Sequence, residues 1–537
     1  MQKFSLFIVM AALGFSGFPS ISLADITPEQ LEFRRQAAQR MIFDREQEIP
    51  LSKFEPAKIV GIDVMHPVVG KSTGAMACEI EGGNLRMSTK NAAQMDRWIS
   101  GFNPFASYDL TINAFTGSGE AGMMFRDSEN GNSMCASVVV KDAKCEAIRW
   151  VVVKDGKEVE SRVYPLANPV KAVFPLRLRA QMQAVGLNLF LENQEVSQLI
   201  AYPDFSQHWE LRQKSWMQRF EFCLHADLKP ESTVLIREMR SALSPGIGQA
   251  DIRAITRSDG EPLIEEGRLW FTMTVRGRAL PHPMQGVFSL NPSVFDLKFE
   301  GIIVFDTGDG MLRNELASHL FYDDVAKEWR GWTVGFSAYG KDAKGEQKAI
   351  LAVSSQRDPR KGFSIMRAKP IGLPPGMHED PHGIYDAAVG KWRMLVAEHD
   401  GKFRASLWES EHWDRDFTRL SGPVEMDSTG TSLQKIGSKR YAMFGSADRK
   451  VYIRSYPELQ PAGELNMHMP PWNDQTGTRI WPNVLPLPDG YPARYIAVMM
   501  DRINYPGMPK QNWTYGAIYL YHAHLPTGNE TPYEYNQ

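Results

Sequence analysis

Residues 391–396, Lys391-Trp392-Arg393-Met394-Leu395-Val396, form a short apolar run led by an aromatic, and runs of the same kind occur four more times. The others are Leu269-Trp-Phe-Thr-Met-Thr-Val275, Gly331-Trp-Thr-Val-Gly-Phe336, Arg440-Tyr-Ala-Met-Phe444 and Arg494-Tyr-Ile-Ala-Val498. Their lead aromatics, Trp270, Trp332, Trp392, Tyr441 and Tyr495, are roughly 50–60 residues apart, a generous period for one four-stranded propeller blade. Before each run lies another apolar string ending in a turn: Pro262-Leu-Ile-Glu-Glu-Gly267, Leu320-Phe-Tyr-Asp-Asp324, Gly383-Ile-Tyr-Asp-Ala387, Ser432-Leu-Gln-Lys-Ile-Gly437 and Asn483-Val-Leu-Pro-Leu-Pro-Asp-Gly490. Most units add a third strand, such as Phe403-Arg-Ala-Ser-Leu-Trp408. Five repeats predict a five-bladed β-propeller over residues 241–527, followed by a short tail at 528–537.

Upstream, the period changes to plain alternation. Tyr108-Asp-Leu-Thr-Ile-Asn-Ala-Phe115, Ala121-Gly-Met-Met-Phe-Arg-Asp127, Ser137-Val-Val-Val140, Trp150-Val-Val-Val153, Leu176-Arg-Leu-Arg-Ala180 and Leu187-Asn-Leu-Phe-Leu-Glu192 read as strands separated by turns, the pattern of a β-sandwich. In this order, with the Gly-rich turn before Ala121, they resemble the concanavalin-like jelly rolls attached to many secreted carbohydrate-active enzymes. Residues 58–240 are assigned to that sandwich. Before it, 25–57 reads as a charged amphipathic helix and linker, with Thr27 as N-cap, Pro28 in the first turn and Gln30 completing a capping box. Lys3, the apolar run from Phe4, and Ser22-Leu-Ala24 before Asp25 make 1–24 a secretory signal peptide. That predicts export to the periplasm or the extracellular space.

Composition agrees with an all-β chain. Forty-three glycines, 34 prolines and 11% aromatics among 537 residues favour many short elements joined by tight turns. Sixty basic against 63 acidic residues leave no electrostatic footprint for nucleic acid or a membrane surface. The four cysteines, Cys78, Cys135, Cys145 and Cys223, permit two disulfides in an exported protein, with buried free thiols as the alternative.

Two familiar motifs fail on context. Gly117-Ser-Gly-Glu-Ala-Gly122 fits G-x-G-x-x-G, but the next residues read as a strand where a dinucleotide site needs a helix N-terminus. His378-Glu-Asp-Pro-His382 fits H-E-x-x-H, but Pro381 breaks the helix that would put both imidazoles on one zinc.

The residues just before each inner strand of a propeller converge on one mouth. Those positions hold Asp259 and Glu261, then Glu315 and His319, then His378, Glu379, Asp380 and His382, then Thr429-Gly-Thr431, then Arg479 and Trp481. Carboxyl pairs can act as acid and base on a glycosidic bond when they stand about 5–9.5 Å apart. Imidazole and guanidinium groups can bind hydroxyls or a uronate, and an indole can stack on a pyranose. Glu379-Asp-Pro-His-Gly-Ile-Tyr-Asp386 and Trp481-Pro-Asn-Val-Leu-Pro-Leu-Pro-Asp-Gly490 resemble blades of the family 43 glycoside hydrolases and their relatives over residues 245–525. The resemblance implies a base Asp in the first blade, a modulating Asp in the third and an acid Glu in the fourth. Asp380 matches the third-blade position. Asp259 and Glu261 are the first-blade candidates. Thr429-Gly-Thr431 stands where the fourth-blade Glu is implied, which leaves Glu379 or Glu315 to supply an acid. No cofactor is required, and a calcium ion held in the channel is compatible with the resemblance. The function this implies is hydrolysis of a polysaccharide or oligosaccharide. Two rivals are a propeller lyase using His319, His378 or His382 with a Tyr and Arg479, and a carbohydrate-binding protein without catalysis.

Overall fold

A computed structural model describes residues 26–58, 69–127, 129–167, 173–182, 186–193, 197–276, 284–336, 349–374, 376–471, 481–501 and 517–524. The signal peptide, the 528–537 tail and Arg479 fall outside the described residues. The described chain is all-β, with helix confined to a few short turns, as the alternation and turn density predict. Within it, no helix is long and apolar enough to cross a membrane.

The sandwich consists of two antiparallel sheets. One runs Lys157–Pro165, Lys144–Lys154, Asn132–Lys141, Gly119–Asp127, Phe220–Leu228, Ala93–Gly101, Val69–Thr73. The other runs Ser197–Ala201, Leu187–Glu192, Leu176–Met182, Ser107–Thr116, Ser232–Leu243, Asn84–Thr89, Ala77–Glu81. Because side chains alternate along a strand, Tyr108, Leu110, Ile112, Leu178 and Ala180 enter the core between the sheets with Trp150 and Phe222. Their neighbours Asp109, Arg179 and Arg240 are left on the opposite face, where they are nevertheless buried. The segment carrying Phe43 and Glu48 covers them, and Phe43 packs with Phe190 and Ile247. G-x-G-x-x-G lies on the turn that passes from Ser107–Thr116 in one sheet to Gly119–Asp127 in the other, not at a helix N-terminus. All four cysteines are free thiols; the disulfide reading fails because their strands do not bring any two together.

Residues 248–524, with Glu32–Arg40, form five successive units of four main strands, the first two joined into one sheet through Asp296–Asp306 and Gly362–Pro370. The first is Gly248–Ala254, Arg268–Arg276, Met284–Asn291, Asp296–Asp306; the second Leu316–Asp323, Glu328–Gly335, Ala349–Ser355, Gly362–Pro370. The third is His378–Asp386, Lys391–His399, Phe403–Ser410, Thr418–Ser421; the fourth Thr429–Ile436, Lys439–Gly445, Val451–Ser455, Pro461–Glu464. Each of the five aromatic-led runs is the second strand of its unit. The first strands contact one another in order around a ring, and Gly248–Ala254 returns to the fifth unit through Tyr495–Met500.

Two expectations are overturned. The N-terminal helix is absent: a 3-10 turn at Pro28–Gln30 leads into the strands Glu32–Arg40 and Ile49–Phe54. Glu32–Arg40 pairs antiparallel with Ala517–His524 and supplies the outer strand of the fifth unit, after Val484–Pro486, Tyr495–Met500 and Ala517–His524. Ile49–Phe54 pairs with Ser232–Leu243 of the sandwich. The segment is therefore no linker but gives one strand to each domain. Its strong helix formers are overruled by tertiary pairing, and its charges suit an outer strand with one wet face. The first unit's inner strand is likewise not the string at Pro262 but Gly248–Ala254, with Ile264–Glu265 only a short partner of Arg268–Arg276.

Candidate active site at the ring centre

Four of the inner strands carry the same defect near their start. Pairing with the second strand slips between Ala250 and Arg253, Leu316 and His319, Glu379 and His382, and Thr429 and Ser432. Each bulge contains one residue in the left-handed region: Asp251 at φ 53°, Ala317 at 56°, Asp380 at 59° and Gly430 at 61°. Bulges of this kind re-aim side chains. Asp251 and Asp380 are thus equivalent residues of the first and third units, and Glu379 and Thr429 are equivalent residues of the third and fourth.

Arg253 organises the centre. It is fully buried and donates from Nη1 to the Gly430 carbonyl (3.3 Å) and from Nη2 to the Asp380 carbonyl (3.0 Å). Its guanidinium lies over the Trp481 ring, 4.4 Å from the centroid. Burial pushes its pKa down to about 10, opposed by the carboxylates of Asp380 and Asp251. The Asp380 carboxyl accepts from the Gly430 N–H (2.7 Å) and the Thr429 hydroxyl (3.1 Å). Burial, then the neighbouring Glu379 charge, push Asp380 up to about 7; Arg253 opposes this and Asp251 adds to it. A carboxyl so placed holds a proton into the neutral range. Gly430 must be glycine, since a Cβ there would stand 2.6 Å from the Trp481 Cγ on a backbone already at positive φ.

Two residues beyond the bulges of the second, third and fourth units, and at the matching place in the fifth, the side chain ties one unit to the next. The Gly383 N–H donates to His319 Nδ1 (3.2 Å), the Leu433 N–H to His382 Nδ1 (3.2 Å) and the Ala254 N–H to Asn483 Oδ1 (3.3 Å). The Ser432 hydroxyl donates to the Pro482 carbonyl (3.4 Å). His319 and His382 stack with centroids 3.9 Å apart. Burial drives His319 down to about 3 and His382 well below its ordinary value, so both are neutral. They are clips between units, buried where sequence reasoning expected sugar ligands. His378 is also buried, edge-on to Trp408, with its pKa lowered mainly by burial. Trp481 is buried against Arg253 and Gly430, leaving no face for a pyranose. Glu315 is fully buried and accepts from the Phe336 N–H at 2.5 Å.

Asp259 and Glu261 do not join this group. The Tyr385 N–H donates to the Ser258 carbonyl, Arg440 donates to the Asp259 carbonyl, and Glu261 pairs with Lys435 at 2.6 Å. Tyr385 and Lys435 stand five residues beyond Asp380 and Gly430 on their strands, about 16 Å at about 3.3 Å per residue. The turn bearing Asp259 and Glu261 thus lies at the opposite end of the ring. The first-unit carboxylate beside Asp380 is Asp251, which the sequence reading missed together with Arg253. The Asp251/Arg253 pair in an otherwise apolar string, Gln249-Ala-Asp-Ile-Arg-Ala254, was the available signal.

H-E-x-x-H lies in the strand His378–Asp386, as Pro381 dictates. Among the described residues no three His, Cys, Asp or Glu side chains converge to hold a metal. The His319 and His382 Nδ1 atoms are already engaged by backbone N–H groups, so the imidazoles are poorly disposed toward a calcium ion.

No family model matches this chain, and no curated protein does. The solved structures with similar coordinates include a thermostable family-43 glycoside hydrolase, at 14% identity and TM-score 0.36 over 53% of this chain and 95% of that one. An alpha-L-arabinofuranosidase from Lactobacillus brevis matches at 13% identity and TM-score 0.37, over 54% of this chain and 96% of that one. The laminarinase catalytic domain from Thermotoga maritima MSB8 matches at 9% identity and TM-score 0.27, over 36% of this chain and 98% of that one. Likeness at this level decides nothing about activity, and the fold assignment rests on the strand pairing described above.

Proposed function

We propose that the protein is an exported glycoside hydrolase whose site is the ring centre of a five-bladed propeller, with Asp251 as base and Asp380, assisted by Glu379, as proton donor. The carrying observation is that two equivalent bulges on the first and third inner strands set Asp251 and Asp380 within electrostatic reach of each other and of Arg253, with Asp380 held protonated toward neutral pH. A carboxyl that keeps its proton toward neutral pH is suited to the acid role. In the step, Asp251 accepts a proton from water as the water oxygen bonds to the anomeric carbon. The glycosidic bond breaks, and its electron pair takes the proton from Asp380. Glu379, half-buried at the position equivalent to Thr429, replenishes that proton and supplies the carboxyl that the fourth unit lacks. Against the lyase reading, the His319 and His382 Nδ1 atoms are each engaged by a backbone N–H of the next unit.

Product analysis on a panel of neutral and acidic oligosaccharides tests this reading. New reducing ends on saturated sugars are expected, with the rate falling above about pH 7 as Asp380 loses its proton. Unsaturated products would establish elimination, and measurable affinity without turnover would establish a binding protein. Asp259→Asn and Glu261→Gln serve as controls at the far end of the ring. Both are expected to leave turnover within about twofold, and losing the exposed Glu261–Lys435 pair costs no more than about 1 kcal/mol in a urea melt.

A further inference from the structure

We propose that a groove on the second unit binds an anionic glycan through carboxylate or sulfate groups, apart from the ring centre. The groove has a volume of about 510 Å³ and is lined by the first, second and third units. Its floor is one transverse row of the sheet: Arg330 stands opposite Ser354, Ser354 opposite Arg367, and Arg367 opposite Asp306 of the first unit. Directly paired residues point to the same face, and neighbouring strands lie about 4.8 Å apart. The two guanidinium-bearing positions are therefore about 10 Å apart with a hydroxyl between them.

The charges in the row are not equally satisfied. Arg330 is held by Asp323 (2.5 Å) and Glu328 (2.9 Å), and its guanidinium lies 4.9 Å from the centre of the Trp413 ring. Asp306 is paired with Lys214 at 2.6 Å, and Lys369 with Asp414. The exposed Arg367 side chain has no hydrogen bond or ion pair to any described residue. A guanidinium left open in a groove whose other charges are paired calls for an anionic partner, and its fork suits carboxylate or sulfate oxygens. The half-buried Trp413 and the Ser354 hydroxyl add the stacking surface and a hydrogen bond that a sugar ring uses. Nothing in this row depends on hydrolysis at Asp380, so the two proposals stand or fall separately.

Affinity electrophoresis of the full-length protein tests the groove, in gels containing polygalacturonate, carrageenan, a neutral β-glucan or single-stranded DNA. Retardation by polygalacturonate identifies a uronate ligand and retardation by carrageenan a sulfated one. In either case Arg367→Ala is expected to weaken retention at least fivefold and Ser354→Ala to weaken it less, both with ring-centre turnover unchanged. Equal retention of the Arg367 variant, equal retention by the neutral glucan or DNA, or no retention in any gel would overturn the proposal.

Discussion

Asp380→Asn is expected to lower turnover by a factor of about 100 to 10,000, the usual contribution of a positioned acid, while making the protein more stable at pH 8. An asparagine oxygen can still accept from the Gly430 N–H that now donates to the carboxyl, so the site keeps its shape and loses only the proton. The stability gain follows from linkage. Asp380 titrates at about 7 when folded against 3.8 when free. Below 3.8 the carboxyl is protonated in both states. Between 3.8 and about 7 the unfolded chain gives up the proton while the folded chain retains it, so stability falls as pH rises through that window. Above it the deficit is constant. Denaturant melts of wild type and variant across pH 4–8 should therefore diverge upward through that window. Parallel curves would show that the carboxyl is not held protonated, and intact turnover would place the acid elsewhere.

Arg179→Met is expected to destabilise the sandwich by about 3–5 kcal/mol, the range for breaking a buried charge network from one side. Arg179 is fully buried, 2.6 Å from Glu48, 3.0 Å from Glu192 and 3.4 Å from Asp109. Arg240 reaches only Glu48 closely, at 2.7 Å. Burial already raises the Glu48 pKa despite both arginines. Without Arg179 the Glu48 carboxylate loses the guanidinium that most opposes its burial, so its folded pKa rises further. That makes the variant's deficit smallest in acid and largest as pH rises toward neutrality. A variant as stable as wild type at pH 7 would mean that water reaches the network. Because Phe43 and Glu48 cover this face of the sheet, the same cluster fastens the sandwich to the chain entering it from the ring.

The inner strand of the first unit shows where sequence reading stopped. Strands with apolar neighbours on both faces announce themselves, as Lys391–His399 does. Gly248–Ala254 is buried along its whole length, yet Asp251 and Arg253 make it resemble a loop until the neighbouring strands that satisfy Arg253 are known. Asp259 and Glu261 drew attention because they precede a visible apolar string, and that string is an excursion at the wrong end of the ring. Asp380 was legible because it stands just before the visible string Gly383-Ile-Tyr-Asp-Ala387 and because Glu379-Asp-Pro resembles a family 43 blade. His319 and His382 were legible as residues at the centre but not as clips, since their partners are backbone N–H groups that carry no signature in the sequence.

By itself, then, the sequence determined the all-β character and the second strand of every unit. These follow from local burial patterns, which need no partner to be recognised. The tertiary structure decided what depends on distant pairing. Glu32–Arg40 closes the fifth unit against Ala517–His524, although its composition favours a helix. The site itself is made by bulges that turn Asp251 and Asp380 inward around one buried guanidinium, and charge buried in that way is stable only when its partners arrive from other strands.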